Sequence, residues 1–388
     1  MSIQYINEAS GLQGKRVILR AGFDIALTDL GVQGGPWRIR QGLSTIKFLL
    51  SKGAQITLLN HIDRPQGVTV PELSNAGIAK VLSGLLDEDV PCFTLEECLK
   101  LQDKNFRIAM IENLRFYPGE EANDTLFIKK LASLGDIYVN DAFSNSHRAH
   151  ASMVGIPKLI PSYAGLLLKH ELTGLQDVRA YAPRPLVLVI GGVKIETKLQ
   201  AIKSFWHKAD KIILGGTLAN AFLQAKGFAV KNSTAMAEEL ETVKEFPLTT
   251  GKLYLPVDVR VSSDASGSSG VAIRPVGNIA DDELILDIGP DSEILFDNII
   301  KSAKIVIWNG PIGMFENPLF ATGTRAMAKS LIANNVQASI GGGQTIEFLY
   351  KENLMAASFF LSTGGGAMLA YIAGEELPAL KALENNGK

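Results

Sequence analysis

Nine basic residues in the first half of the chain are of types that hold anions: Arg20, Arg38, Arg40, His61, Arg64, Arg115, His147, Arg148 and His150. They fall in or after segments that read as strands. Arginine forks bind phosphate and carboxylate through paired N–H donors, so these residues, drawn together, would form a cationic pocket. Taken singly, each reads as a solvated or ion-paired surface residue. The second half offers a different tool, strand-like runs that end in glycine. Leu186–Ile190 ends in Gly191-Gly192, Lys211–Leu214 in Gly215-Gly216, and Glu283–Ile288 in Gly289-Pro290. Ile305–Trp308 runs into Asn309-Gly310-Pro311, Ala338–Ile340 into Gly341-Gly342-Gly343, and Phe359–Leu361 into Gly364-Gly365-Gly366 after Ser362-Thr363. Lys194 and Lys198 lie just past the first of these turns.

Glycine lets a backbone approach a ligand, and the amides of a helix start attract anions. One Gly-Gly reads equally well as a tight turn, but two triple glycines favour a phosphate or nucleotide site. An anion pocket together with a phosphate ledge is what phosphoryl transfer needs, because its transition state spreads negative charge over oxygens that must be positioned and neutralised. Neither a Walker A sequence nor a dinucleotide fingerprint in a βαβ unit explains the glycines. His147-x-x-His150 has no carboxylate at ligand spacing and an arginine between its histidines, so no metal is expected there.

The elements that must position these residues alternate short apolar runs with helical patterns, the mark of parallel sheets covered on both faces. Arg16–Arg20, Ile56–Leu59, Arg107–Ile111 and Asp136–Val139 read as strands of the first half. Trp37–Lys52 and Thr125–Leu134 read as helices, the former with Ile39, Leu43, Ile46, Leu49 and Leu50 at helical spacing and Gly53 as its stop. Ala164–Val178 reads as a connecting helix, and Asp264–Gly270 as a flexible surface loop. The 388 residues exceed one ordinary core and suggest two domains. Lys and Arg number 38 against 40 Asp and Glu, so no basic excess points to nucleic acid. The two cysteines, Cys92 and Cys98, fit no zinc, redox or disulfide framework and suggest a reducing cytoplasm. No secretory signal layout or membrane-length apolar run is expected.

At this point the residues reach a known family. RVILRAGFDIAL, WRIRQGLSTIKFLLSKGA, HIDRPQG, ENLRFYPGEE, YVNDAFSNSHRAHAS, GGVKIETKL, LPVDV, LDIGP, IWNGPIGMFE, GTRAM, IGGGQT and STGGGAMLAYIAGEELPAL stand in the order found in phosphoglycerate kinases. The chain resembles that family along nearly its whole length. The resemblance implies an α/β fold of two doubly wound, Rossmann-like parallel-sheet domains joined by a central helix and hinge. The segments are a 3-phosphoglycerate-binding domain over 1–165, the helix and hinge over 166–184, a nucleotide-binding domain over 185–374, and a tail over 375–388 that returns to the first domain. It implies reversible phosphoryl transfer between 1,3-bisphosphoglycerate and ADP with Mg²⁺, by a cytoplasmic monomer that binds small molecules and neither nucleic acid nor membrane.

Residue by residue, the resemblance assigns the acid site to Gly22, Phe23, Asp24, Arg38, His61, Arg64, Arg115 and Arg148. Arg38 and Lys194 flank the transferring group, with Gly342 and Gly365 supplying amides. Lys198, Gly215, Gly216, Asn309, Pro311, Glu316, Gly342, Gly343, Gln344 and Thr345 belong to the nucleotide. Departures fall inside the motifs. Gly22 replaces a carboxylate that accepts from the substrate hydroxyl, and Asp24 replaces an amide two residues on. Asp63 stands where glycine suits a positive φ, which Asp tolerates better than most residues. Gln344 replaces the carboxylate that holds the metal-nucleotide, leaving a poorer Mg²⁺ ligand. Two alternatives therefore stay open beside the kinase: a weakened or inactive paralogue that binds nucleotide or a regulatory partner, and a kinase for a related small acid.

Overall fold

A computed structural model describes residues 3–25, 37–101 and 106–384. Ala26 and Leu27 of the first family segment, and residues 385–388 of the tail, lie outside the described residues. The chain divides into two compact units, Met1–Gly174 with Glu375–Lys388, and Leu175–Gly374.

The first unit runs β1 (Arg16–Arg20), α1 (Trp37–Ser51), β2 (Gln55–Leu59), α2 (Ala76–Leu86), β3 (Cys92–Phe93), α3 (Leu95–Lys100), β4 (Ile108–Ile111), α4 (Pro118–Glu121), α5 (Thr125–Ala132), β5 (Ile137–Asn140) and β6 (Ser162–Ala164). Its six strands pair in the order β3-β4-β2-β1-β5-β6, all parallel. β1 is central, so Val17, Ile18 and Leu19 are all buried, and the run reads as continuously apolar rather than alternating. α1 covers the sheet through Ile39, Ile46 and Leu49. Strand order reverses between β1 and β5. In an open parallel sheet, ligands bind beyond the strand carboxyl ends at such a reversal. Here those ends lead into Ala21–Ile25 and Asp141–Arg148.

The helix α6 (Leu166–Tyr181) leads into the second unit. There follow β7 (Leu186–Ile190), α7 (Ile195–Phe205), β8 (Lys211–Leu214), α8 (Gly216–Ala225), α9 (Ala237–Lys244), β9 (Leu253–Tyr254), β10 (Asp258–Ser262), β11 (Ala272–Pro275), β12 (Leu284–Ile288), α10 (Pro290–Lys301), β13 (Ile305–Asn309), α11 (Thr322–Ala333), β14 (Gln337–Gly341), α12 (Gly343–Lys351), β15 (Phe359–Ser362) and α13 (Gly365–Ala373). Six strands form a parallel sheet in the order β15-β14-β13-β7-β8-β9, reversing between β13 and β7. A last helix, α14 (Pro378–Glu384), belongs to the first unit, where Ala379 packs with Ala142, Met153 and Val154.

One expectation is corrected. The run ending at Ile288 is not part of the parallel sheet; β12 pairs antiparallel with β10, as does β11, in a separate three-stranded sheet. Its glycine turn has a structural task. A Cβ at Gly289 would fall 2.2 Å from Asp258 Oδ2, and the Asp258 carboxylate accepts hydrogen bonds from the Asp291 and Ser292 amides at the start of α10. Strand periodicity does not distinguish a parallel partner from an antiparallel one, and Gly-Pro before a helix suits a capped turn as well as a ligand site.

Candidate active site

In the first unit, most of the expected anion binders come together beyond the carboxyl ends of β1, β2, β4 and β5, and Arg38 joins them from α1, whereas Arg40 is exposed on that helix. Arg20, the last residue of β1, is wholly buried. Arg115 is 4% exposed, Arg38 and Arg148 are half-buried, and Arg64 lies at the surface. Burial lowers the pKa values of Arg20, Arg38 and Arg115. Arg148 is pushed down to about 10 by burial and by the neighbouring Arg115 charge, with Arg64 and Arg20 adding to it. Cations that depress one another in a half-buried pocket mark a place that stabilises an anion. Burial and the arginines also bring His147 down to about 4 and His150 to about 3, so both rings are neutral near pH 7. A carboxylate that sequence spacing did not reveal, Glu120, lies 4.0 Å from His150. No three His, Cys, Asp or Glu side chains meet in a metal-binding group among the described residues.

Two of the departures, Asp63 and Asp24, meet. Asp63 adopts φ +48°, the left-handed conformation that favours glycine. Its amide donates to Asp24 Oδ1 at 3.0 Å, and its carbonyl accepts from Arg115. The Asp24 carbonyl accepts from Arg38, and Asp24 Oδ2 lies 3.8 Å from His61 Nε2. Gly22 faces elsewhere. A Cβ there would lie 2.8 Å from Ser144 Oγ and 3.4 Å from the Ala142 backbone. Asp24 therefore puts its carboxylate against the β2 loop and not where a side chain at residue 22 would point. Phe23 is buried in contact with α1, where a Cβ at Gly42 would come within 2.7 Å of its ring.

Sequence reasoning missed what holds this pocket in shape. Asn60 Oδ1 accepts from the Phe23 amide at 2.8 Å, and its Nδ2 donates to Asn75 Oδ1 at 3.0 Å. Asn75 in turn donates to the Asn60 and Ile111 carbonyls, and Asn113 to the Ile62 and Leu73 carbonyls. All three asparagines are buried, and together they tie the loops after β1, β2 and β4. Only Asn113 lay in a quoted motif; an isolated Asn in sequence reads as a turn residue.

In the second unit, β7 and β13 end in contact. The Gly191 amide donates to the Asn309 carbonyl at 3.0 Å. A Cβ on Gly191 would fall 2.0 Å from the Pro311 carbonyl oxygen, and one on Gly310, at φ +93°, would fall 2.2 Å from the Gly191 oxygen. Neither position admits another residue. Lys198 donates to Asn309 Oδ1. Burial and then the Lys194 charge lower its pKa to about 8. Asn309 is packed against Gly365, where a Cβ would lie 2.4 Å from Asn309 Nδ2. Gly342, at φ +103°, caps α12. Lys198, Asn309, Gly342 and Gly365 are thus one cluster. Asn309 Nδ2 and Thr345 Oγ1 are buried there without a hydrogen-bond partner among the described residues, as donors meant for ligand oxygens would be.

Beside this cluster lies a cavity of about 410 Å³, lined by Gly216, Pro311, Phe315, Glu316 and Gln344 together with apolar Ile285 and Met314. Its size and mainly apolar wall suit a flat heterocycle with a polar edge. Glu316 and Gln344 are exposed at it, whereas Lys194 is exposed without lining it, and Gly215 packs against Ile312 as the cap of α8. Asp287 also lines the cavity. It already accepts from Thr322, Gly323 and the Ile288 amide, and burial raises its pKa to about 6.

A family model described as phosphoglycerate kinase matches residues 6–375. The chain is 39% identical over 402 residues to a phosphoglycerate kinase of Geobacter metallireducens, covering all of both chains. It is 38% identical over 394 residues to that of Pelobacter propionicus, covering 99% of each. Among solved structures, the phosphoglycerate kinase of Coxiella burnetii superposes with a TM-score of 0.78 at 33% identity over all of both chains. That of Pyrococcus horikoshii gives 0.83 at 29% identity over 99% of each.

Proposed function

The chain belongs to the phosphoglycerate kinase family, and we propose that the arginine pocket of its first unit holds 3-phosphoglycerate while the glycine ledge of its second unit holds the adenine nucleotide. The family reaction is reversible phosphoryl transfer between 1,3-bisphosphoglycerate and ADP. One observation carries the division of labour: buried and half-buried arginines that depress one another in the first unit, against unpaired buried donors beside an apolar cavity in the second.

Arg115, Arg148 and Arg64 neutralise the acid's phosphate and carboxylate, and His61 and Asp24 meet its polar middle. Arg38 faces the group in transfer. On the nucleotide side, base and ribose occupy the cavity, with Glu316 accepting from ribose hydroxyls. The amides of Gly342 and Gly343 and the side chains of Thr345 and Asn309 meet phosphate oxygens, and Lys198 and Lys194 offset their charge. The Gly342 and Gly343 amides are backbone groups at the start of α12, so their stabilisation of the phosphate oxygens needs little reorganisation.

Mg²⁺ supplies charge neutralisation on the phosphates when bound. The protein set fits an ion carried by the nucleotide. Residue 344 offers an amide oxygen, and Asp287 already accepts from three protein donors. Gln344→Asp is accordingly expected to raise turnover at limiting Mg²⁺ by about tenfold, an estimate for one added carboxylate ligand. The comparisons lend no support to an inactive paralogue or a kinase for another acid. The chain acts as a cytoplasmic monomer on small molecules; neither Cys92 nor Cys98 is in a disulfide, in keeping with a reducing compartment. Among the described residues no helix is long and apolar enough to cross a membrane.

The test is ATP-dependent phosphorylation of 3-phosphoglycerate by the purified chain, coupled to reductive consumption of the product. Turnover with this acid is expected. Binding of both ligands with no turnover would sink the proposal.

A further inference from the structure

Behind His61 runs a buried chain of polar side chains that the acid-binding reading does not use. Arg20 Nη2 lies 2.5 Å from His61 Nδ1. Arg20 Nε donates to Ser152 Oγ at 2.9 Å. Ser152 Oγ donates to Glu120 Oε1 at 2.5 Å, and the Ser152 amide donates to Glu120 Oε2 at 3.0 Å. Arg20, His61, Ser152 and Glu120 are all wholly buried. The four come from separate segments, β1, the loop after β2, the loop after β5, and α4.

The geometry points to Arg20 as a positioning residue that holds His61 as the neutral Nε2–H tautomer, so that His61 presents a hydrogen-bond donor, and not a base or a cation, to the acid. A guanidinium has only N–H donors and keeps its proton. At 2.5 Å the hydrogen between Arg20 and His61 belongs to Arg20, and Nδ1 must accept. The ring's one remaining hydrogen is then on Nε2. That atom is buried with no hydrogen-bond partner among the described residues, and Asp24 Oδ2, at 3.8 Å, lies beyond hydrogen-bond reach. An unpaired buried donor costs stability, and an acceptor oxygen from the bound acid removes that cost. Glu120 completes the device. Its carboxylate, reached through Ser152, orients the Arg20 fork and balances its charge.

The groups that face His61 act in the same direction. Burial opposes a positive charge on the ring, and the Arg20, Arg115 and Arg148 charges act the same way; the neighbouring His150 is itself neutral near pH 7. The carboxylate of Asp24 is the opposing influence. Protonating His61 would also strip Arg20 of its acceptor.

Selective ¹⁵N labelling of histidine in the full chain, with His61→Gln to assign the signal, reads each ring nitrogen directly. An unprotonated Nδ1 and a protonated Nε2 are expected, unchanged from about pH 5 to about pH 8, the range in which an ordinary imidazole titrates. A protonated Nδ1, or a ring that titrates in this range, would overturn the proposal. Arg20→Gln puts an amide able to donate or accept beside the ring. Mixed tautomers, a titrating signal and a KM for the acid raised by roughly tenfold, with kcat changed less, are expected. Arg20→Lys retains a donor that cannot accept and should keep the tautomer. If Arg20→Gln leaves tautomer and pH profile untouched, Arg20 is only structural and the proposal fails. The inference rests on the acid-pocket reading only for the identity of the acceptor. The wild-type spectrum is recorded without substrate, so a wrong tautomer and a wrong pocket are told apart. 3-Phosphoglycerate should move the Nε2 signal, and an unmoved signal beside the expected tautomer would count against the pocket.

Discussion

Lys198 is a cation that folding makes easier to discharge. Burial and the nearby Lys194 bring its pKa to about 8, below its unfolded value, so between those two values the unfolded chain binds the proton that the folded chain has released. Stability therefore rises with pH across that window, while the charge proposed to offset nucleotide phosphates is lost. The expected outcome is a kcat/KM for nucleotide that is level below about pH 8 and falls above it, since that ratio follows the free enzyme. Lys198→Arg should carry the plateau to higher pH, read from pH–rate profiles. On the acid side, Gly22 shows how a departure is built into its surroundings. A side chain there meets Ser144 Oγ at 2.8 Å. Gly22→Asp is expected to cost about 1 kcal/mol in denaturant unfolding, and Ser144→Ala to remove most of that cost, as a double-mutant cycle would measure. Asp63 fits for the same kind of local reason. Its left-handed backbone lets its amide reach Asp24 and its carbonyl reach Arg115.

The strands and the glycine turns were largely legible in the sequence, because buried parallel strands are unbroken apolar runs and their ends need glycine. Arg16–Arg20 and Leu186–Ile190 match the observed strands end to end. β12 was legible as a strand but not as antiparallel, since partner direction lies in contacts distant in sequence. Its glycine turn, capped by Asp258, resembles the ledge turns in sequence and differs only in what surrounds it. The asparagine brace was illegible for a similar reason: Asn60, Asn75 and Asn113 are spread over three loops, and only folding joins them. Short strand β3 and the edge strand β9, two residues each, carry too little pattern to read. The brace yields a prediction at its own scale. Asn60→Ala leaves the Phe23 amide and Asn75 Oδ1 without partners, and should lower unfolding stability by about 2–6 kcal/mol, about one to three for each stranded group. Thermal or denaturant unfolding of the full chain checks this, and the KM for the acid should rise in the same variant.

Across the whole molecule, net charge is −2, so the cationic field of the first unit is local and short-ranged. Under the proposed assignment, added salt should weaken acid binding less than it would binding to an exposed basic surface. The family's segments run from the first strand to the tail, and the two units carry them with different equipment, arginines in one and glycine turns with lysines in the other. The most direct measurement of that division is calorimetric binding of 3-phosphoglycerate and of ADP, each alone, to wild type, Arg148→Ala and Gly365→Ala. Arg148→Ala should weaken 3-phosphoglycerate by about tenfold to a hundredfold, the loss of a charged hydrogen bond, and leave ADP unchanged. Gly365→Ala, which drives a Cβ into Asn309, should do the reverse. If either variant weakened both ligands alike, or if the losses were exchanged, the assignment of acid to the first unit and nucleotide to the second would be contradicted.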